Sequence, residues 1–426
     1  MDTYHPSDDR EELSPSIAVC FHFSGREKEE SRMMTKHKRA YKYRLYPTEE
    51  QKRLLARTFG CARFVYNWAL RLCTDAYFLH GEKLYAHDLS ARLTALKQQP
   101  DYAWLGEVSC VPPQQALRHL DKAFRNFFAG RAQYPVYKKR HGEQAAEYTR
   151  SAFGWDGKAL TLAKMDAPLN IRWSRPLPRG CRPTTVTITR DTANRYFISL
   201  LVEEEIAPLP VVNKMVGLDL GLTSMVVLSS GESIGNPRYF VRDEQKLAKA
   251  QRRLAKKKQG SRNRARARLK VARLHARIAD RRRDYQNQLS SRIIRENQVV
   301  CVESLAVKNM RKNHALAKSI SDVGWGEFVR QLDYKARWYG RTFVKIDRWY
   351  PSSKRCFDCG HVLDSLSLDE RLWTCPSCGR FHDRDVNAAK NVLAAGLAVS
   401  ACGEAVRPNT HGTVEGSPRR NRKPGS

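Results

Sequence analysis

The sequence predicts a multidomain α/β protein. Three features carry that expectation. With 426 residues, the chain can bury two or three separate cores. Short apolar runs with strand character alternate with segments of helical period. A compact four-cysteine segment, "CFDCGHVLDSLSLDERLWTCPSCG", interrupts the last part of that alternation.

Residues 1–33 are polar and acidic-leaning, without a clear period. They read as a disordered extension, or as upstream sequence ahead of Met33 and Met34. "KRAYKYRLYPT" alternates as a strand does and stops at Pro47. Thr48 and Gln51 have the form of a capping box for the helix that follows. Its stripe is Leu54, Leu55, Phe59, Ala62, Val65, Tyr66 and Ala69. Further helices are expected to about residue 133, including "PPQQALRHLDKAFRNFFAG". Aromatic and basic residues interleave there (Arg63, Phe64, Tyr66, Trp68, Arg71), which suits base stacking or equally a packed helical core.

"YPVYKKRHG" opens a β-rich stretch, in which "TVTITRD" and "YFISLLVEEE" read as paired strands of a sheet or small barrel. "MVGLDLGLTSMVVLSSGE" reads as strand, tight turn, strand. "VVCVES" and "TFVKIDRWYP" are further strands, the first buried and central. Val386, Ala389, Val392, Leu393 and Leu397 mark a last amphipathic helix. Residues 403–426 have little to bury and are expected to be disordered.

Lys and Arg outnumber Asp and Glu by 76 to 44, a formal charge of +32, which calls for a polyanion such as nucleic acid. The excess is concentrated between Lys246 and Arg283, where 17 basic residues face one acid, Asp280. Two helices broken near "KQGSRN", each with a basic outer face, account for it. Arg264, Arg266, Arg268 and Lys270 are the candidate phosphate contacts. No apolar run reaches transmembrane length and no signal-peptide core is present, so no membrane association is expected. Seven scattered cysteines fit a reducing cytoplasm.

The other four cysteines form two Cys-x-x-Cys pairs, Cys356 with Cys359 and Cys375 with Cys378. Two such turns close a tetrahedral thiolate cage suited to Zn²⁺, in preference to disulfides or a redox pair. Four thiolates leave no open position, so this zinc is expected to be structural. Gly360 and Gly379 follow the pairs, where a tight turn favours positive φ.

Three acids stand out. Asp219 lies inside an apolar strand, Glu303 at the end of another, and Asp385 in the first turn of the last helix. A capping role is the plain reading for Asp385 and a weaker one for the other two. Two carboxylates 4 Å apart repel by about 4 kcal/mol at an effective dielectric of 20. If the three converge they need cations, and oxygen ligands favour Mg²⁺ or Mn²⁺.

"VGLDLGLTSMVVLSSGE", "VVCVESL", "CFDCG…CPSCG" and "HDRDVNAAKNV", in this order, closely resemble the TnpB proteins of bacterial insertion sequences. "KRAYKYRLYPT" and "YPVYKKR" resemble that family's N-terminal signatures, and the resemblance spans about Lys36 to Val399. It implies an RNA-guided DNA endonuclease with an RNase H-like (RuvC) nuclease domain over 214–350 and 381–402. A zinc ribbon would be inserted at 351–380. A wedge-like β-barrel would cover 34–48 and 134–213 and carry a helical recognition domain at 49–133. It further implies Asp219, Glu303 and Asp385 as the two-metal catalytic set, with Asp383 ranked below Asp385. Guide RNA and target DNA are the implied partners, in a cytoplasmic, nucleoid-associated bacterial protein that is monomeric or weakly dimeric. The alternatives are a nuclease-inactive, RNA-guided DNA-binding regulator and an accessory transposition protein. A transposase proper is weaker, since no His-hydrophobic-His tyrosine-nucleophile motif is evident.

Overall fold

The alternation of Tyr41, Tyr43 and Leu45 inward with lysines and arginines outward makes residues Thr35–Leu45 a long strand, β1. The computed structural model describes residues 35–367 and 369–401. The expected extension at 1–33 and tail at 403–426 lie outside the described residues. Helix α1 (Glu49–His80) follows, opened by the expected capping box: Thr48 Oγ1 accepts from the Gln51 N–H, and Gln51 Oε1 accepts from the Thr48 N–H. Helices α2 (Ala86–Gln98) and α3 (Val111–Phe128) pack on it around Val65, Leu70, Leu89, Leu105 and Leu120. Tyr66 is buried in this cluster, and Phe64 and Trp68 pack against it. These rings are therefore core in the structure. Arg63 donates to Gln144 and Arg71 pairs with Asp75.

After the helices come strands β2 (Gln144–Thr149), β3 (Phe153–Trp155), β4 (Leu160–Leu162), β5 (Ile171–Arg172), β6 (Thr185–Arg190) and β7 (Tyr196–Ile206). Four of them with β1 form an antiparallel sheet in the order β2-β6-β7-β1-β5, apart from the separate β3–β4 hairpin. β1 pairs with β7 along its whole length, from Thr35 opposite Ile206 to Leu45 opposite Tyr196, so the helical segment is an insertion in this sheet. Where a barrel was expected, the ladder is open among the described residues. β2 and β5 are its edges, and Leu160 and Leu162 of the hairpin fill the same core.

The second sheet contains β8 (Met215–Asp219), β9 (Ser224–Leu228), β10 (Ser233–Gly235), β11 (Val299–Val302) and β12 (Thr342–Lys345), in the order β10-β9-β8-β11-β12. The first three form an antiparallel meander, while β11 runs parallel to β8 and β12 parallel to β11. The parallel strands are reached by helical crossovers. One crossover is α4 (Tyr239–Ala255) with α5 (Arg262–Glu296), the two basic helices expected on either side of "KQGSRN". The other is α6 (Val307–Met310), α7 (Ala317–Val323) and α8 (Trp325–Tyr339). Val216, Leu218, Val300 and Val302 meet α5 and α8 on one face through Leu289, Ile293, Phe328 and Leu332. Strands β13 (Leu372–Thr374) and β14 (Phe381–Asp383) form the hairpin of the cysteine module, and α9 (Arg384–Ala401) is the last element of the described residues.

Helix α9 covers the opposite face of the second sheet. It sits so close that a Cβ on Gly217 would lie 2.0 Å from the Ala389 carbonyl oxygen and 2.7 Å from the Leu393 nitrogen. One at Gly396 would lie 2.3 Å from Cys301 Sγ. Gly217 and Cys301 are register partners on β8 and β11, so the helix crosses both central strands. No helix of the described residues is long and apolar enough to cross a membrane.

Gly217→Ala is expected to destabilise by about 1–3 kcal/mol through overpacking, read as a lower denaturation midpoint at constant slope. Gly235→Ala, whose Cβ meets nothing within 4 Å, should stay within about 0.5 kcal/mol and serves as the control.

Candidate active site

Strand alternation places Gly217 and Asp219 on one face of β8, and Cys301 and Glu303 on the same face at β11. The register pairs Leu218 with Val302, so Asp219 and Glu303 are the next positions along two adjacent, parallel strands. Asp385 is one turn before Ala389, the residue seated on Gly217. Four helical residues span about 6 Å and two strand residues about 6.6 Å. The contact at Gly217 thus brings the first turn of α9 level with Asp219. All three acids are half-buried. Burial first, then the carboxylates of Glu303 and Asp385, push the Asp219 carboxyl well above the usual carboxylate range, against the opposing charges of Arg384 and Arg371. Burial raises Glu303 as well, opposed by the hydrogen bond that the Ser352 hydroxyl donates to it.

The capping role at the start of α9 falls to Asp383, whose Oδ1 accepts the Val386 N–H at 2.9 Å. Asp385 is left free of that duty. Its two oxygens accept instead from Arg371 Nη1, each at 3.0 Å. Arg371 belongs to the cysteine module, so the module reaches into the acidic site.

The four cysteine sulfurs lie within 4.8 Å of one another, with Cys356 and Cys378 3.7 Å apart and Cys359 and Cys375 3.5 Å apart. A tetrahedral zinc with Zn–S of about 2.3 Å sets sulfurs about 3.8 Å apart, so the cage fits. The two turns are built alike. Cys356 N–H donates to His361 O and Gly360 N–H to Cys356 O; Cys375 N–H donates to Arg380 O and Gly379 N–H to Cys375 O. Gly360 and Gly379 have φ of 79° and 69°, as the turns were expected to require. Burial pushes the Cys356 thiol up to about 12, while the His361 N–H and then the neighbouring thiols bring Cys359 down to about 7. His382 Nε2 lies 3.0 Å from Cys356 Sγ; with Asp358 it forms a second group of three around that sulfur, one ligand short of a closed site.

Helix α9 holds this module by two buried asparagines. Asn387 Nδ2 donates to Arg355 O at 2.8 Å, and its Oδ1 accepts the Phe357 N–H at 3.0 Å. Asn391 Nδ2 donates to Ser352 O at 2.9 Å and Arg355 O at 2.6 Å. The motif reading did not single out Asn387, Asn391, Ser352, Arg371 or Gly217. Two asparagines at i, i+4 on an apolar face, and a glycine inside an apolar strand, were the legible signals.

Of the basic candidates, Arg266, Arg268 and Lys270 are exposed on α5. Arg264 is half-buried and turned inward. Its Nη1 donates to the carbonyls of Leu254 and Lys257, closing the end of α4. Arg264 is thus already engaged within the helical hairpin.

A family model described as "Probable transposase" (OrfB_IS605) matches residues 198–314, and one described as "Cas12f1-like, TNB domain" matches 325–392. A "Helix-turn-helix domain" model matches 33–82, although the described part of that span is β1 and the unbroken helix α1. The chain is 55% identical over 385 residues to a "Putative RNA-guided DNA endonuclease" of Streptomyces pristinaespiralis, covering 90% of this chain and 96% of the relative. It is 32% identical over 389 residues to "Putative RNA-guided DNA endonuclease InsQ" of Escherichia coli K12, covering 87% and 96%. The fold is similar to the protein in a cryo-EM structure of a Cas12f1–sgRNA–target DNA complex. The TM-score is 0.52 at 12% identity, over 84% of this chain and 98% of that one.

Asn391→Ala leaves buried carbonyls without their donor, at a cost of about 1–3 kcal/mol. The expected readout is a lower thermal midpoint together with faster loss of bound zinc to a chromogenic chelator. Unchanged zinc release would mean that α9 does not hold the module.

Proposed function

The chain belongs to the TnpB (IS605 OrfB) family, and from that premise we propose that it is an RNA-guided DNA endonuclease. The observation that carries the proposal is the placement of Asp219 and Glu303 at the ends of adjacent parallel strands, with the first turn of α9, which carries Asp385, packed alongside. The donor set there is all oxygen, with no thiol or imidazole of its own, which suits Mg²⁺ or Mn²⁺. Two such ions would supply an activated water and stabilisation of the leaving oxygen of a DNA phosphodiester. Asp219, on the central strand, would hold these ions together with Glu303, oriented by Ser352, and Asp385. Arg371 balances Asp385 and is positioned to hold a phosphate oxygen of the strand being cut. A nuclease-silent regulator has no observation in its favour, because Asp219, Glu303 and Asp385 are all present on neighbouring elements.

Residues 214–350 and 381–402 act as the RNase H-like nuclease domain, a reading supported by a three-stranded meander extended by two parallel strands. Residues 351–380 form a zinc ribbon on Cys356, Cys359, Cys375 and Cys378, structural because four thiolates leave no open position. Residues 34–48 and 134–213 serve as the wedge and 49–133 as the recognition domain, together engaging guide RNA and target DNA. Arg266, Arg268 and Lys270 contact nucleic-acid phosphates from the basic hairpin of α4 and α5.

Asp219→Ala or Asp385→Ala is expected to abolish guided cleavage while guide and target binding, measured by gel shift, survive. Chelation of divalent cations should do the same. Cleavage by an Asp219→Ala, Glu303→Ala double variant would overturn the two-metal site. Arg371→Ala should slow single-turnover cleavage by about 10²-fold with target affinity retained. Charge reversal at Arg266, Arg268 and Lys270 should flatten the dependence of log Kd on log salt by roughly two to three units. An unchanged slope would make this face a solvated one.

A further inference from the structure

The loop after β12 carries the most exposed large apolar side chain among the described residues. Trp349 is 79% accessible, and the Arg348 guanidinium lies 4.7 Å from its ring centroid. A tryptophan left this open contributes nothing to a core. Its position is defined by the sheet. β12 runs parallel to β11, Lys345 is the register partner of Val302, and the Ile346 N–H bonds to the Val302 carbonyl at 3.0 Å. The loop therefore leaves the sheet at the end where Asp219 and Glu303 stand, the end at which open α/β sheets take their ligands. Three residues beyond Trp349, Ser352 donates to Glu303. The loop is braced at both ends. Asp347 Oδ1 accepts the Trp349 N–H at 2.7 Å, and Asn391 holds the Ser352 carbonyl.

Between this loop and Glu303 lies a cleft of about 420 Å³, lined among others by Glu303, Arg330, Asp333, Lys345 and Arg348. That volume falls in the range of pockets for nucleotide-sized ligands, about 300–1,000 Å³. Two of its charges are already matched: Arg330 pairs with Glu327, and Asp333 with Arg337. Among the described residues the Lys345 and Arg348 side chains pair with no carboxylate, and they lie against the rings of Phe343 and Trp349. The cleft thus combines two cations with the Glu303 carboxylate on one wall, and the open indole of Trp349 lies beside it, against the Arg348 guanidinium.

We propose that Trp349 is the stacking platform for a nucleobase beside the cut phosphodiester, with Arg348 and Lys345 on the phosphates of the same DNA strand. The proposal rests on the nuclease reading and extends it to how the strand is held. Stacking on an indole tolerates any base, because every base has a π face, so the platform grips without selecting sequence. It also requires the base to be unstacked from its neighbour, so the strand enters the site single-stranded at that step.

The test uses the full chain with its co-purified RNA, in an Asp219→Ala background so that the probe stays intact. The probe is single-stranded DNA carrying 2-aminopurine. Titration is expected to change the 2-aminopurine fluorescence. Trp349→Ala should abolish that change and weaken binding roughly 10-fold or more, Trp349→Phe should keep most of both, and the thermal midpoint should not move. Unchanged fluorescence response and Kd in Trp349→Ala would overturn the proposal. So would a changed sedimentation coefficient with unaltered DNA binding, which would mark the indole as a protein contact. The two readings fail separately. Guided cleavage by the otherwise native chain with no Trp349 effect removes the platform alone. A Trp349-dependent response in a chain that never cleaves guided targets removes the nuclease alone.

Discussion

The seating of α9 on Gly217 is the contact on which the second sheet and everything attached to it depend. A glycine inside a central strand weakens the strand and leaves a hole in its surface. Here the hole is filled by helix backbone, with Ala389 and Leu393 closer than any side chain at 217 would allow. The same crossing sets Asp385 level with Asp219, turns Asn387 and Asn391 toward the cysteine module, and brings Arg371 onto Asp385. Shifting the helix by one residue would rotate each of these away by about 100°.

The electrostatics follow from that geometry. A chain with 32 excess positive charges nevertheless places Asp219 and Glu303 at adjacent strand ends, with the Asp385 carboxylate acting on Asp219 from the start of α9. Their mutual repulsion and burial are costly, and Arg371 offsets part of the cost from outside the second sheet. The basic residues are divided between two tasks. Arg264 closes a helix end, and Arg195 ties the β6–β7 turn to Asp280 on α5. Arg266, Arg268 and Lys270 remain open to solvent. The basic character of a segment therefore does not say which of its members meets a ligand.

The cysteine module links the parts more than its size implies. It begins where Ser352 orients Glu303 and ends where Asp383 caps α9, so both flanks belong to the acidic site. Its fold rests on two matching turns, a short hairpin and the buried Trp373, which is little apolar area for a unit of about 30 residues. Its four sulfurs lie within 4.8 Å of one another, the spacing by which a metal would add stability to such a unit.

The amino-acid sequence by itself determined the local elements: the alternation of β1, the capping box of α1, the break between α4 and α5, and the positive-φ glycines behind each cysteine pair. These depend on neighbours within a few positions, where period and steric preference act directly. The spacing of the cysteines determined their shared cage for the same reason. The sequence also marked Asp219 and Glu303 as charges out of place in apolar strands. Only the tertiary structure decided that the first sheet stays an open ladder, that Phe64, Tyr66 and Trp68 are core, that Asp383 is the cap and Asp385 is not, and that Arg264 turns inward. Each of these is fixed by a contact between residues far apart in the chain or by the direction of a side chain at a helix end. Neither leaves a periodic trace, because the partner's position is set by packing and not by spacing.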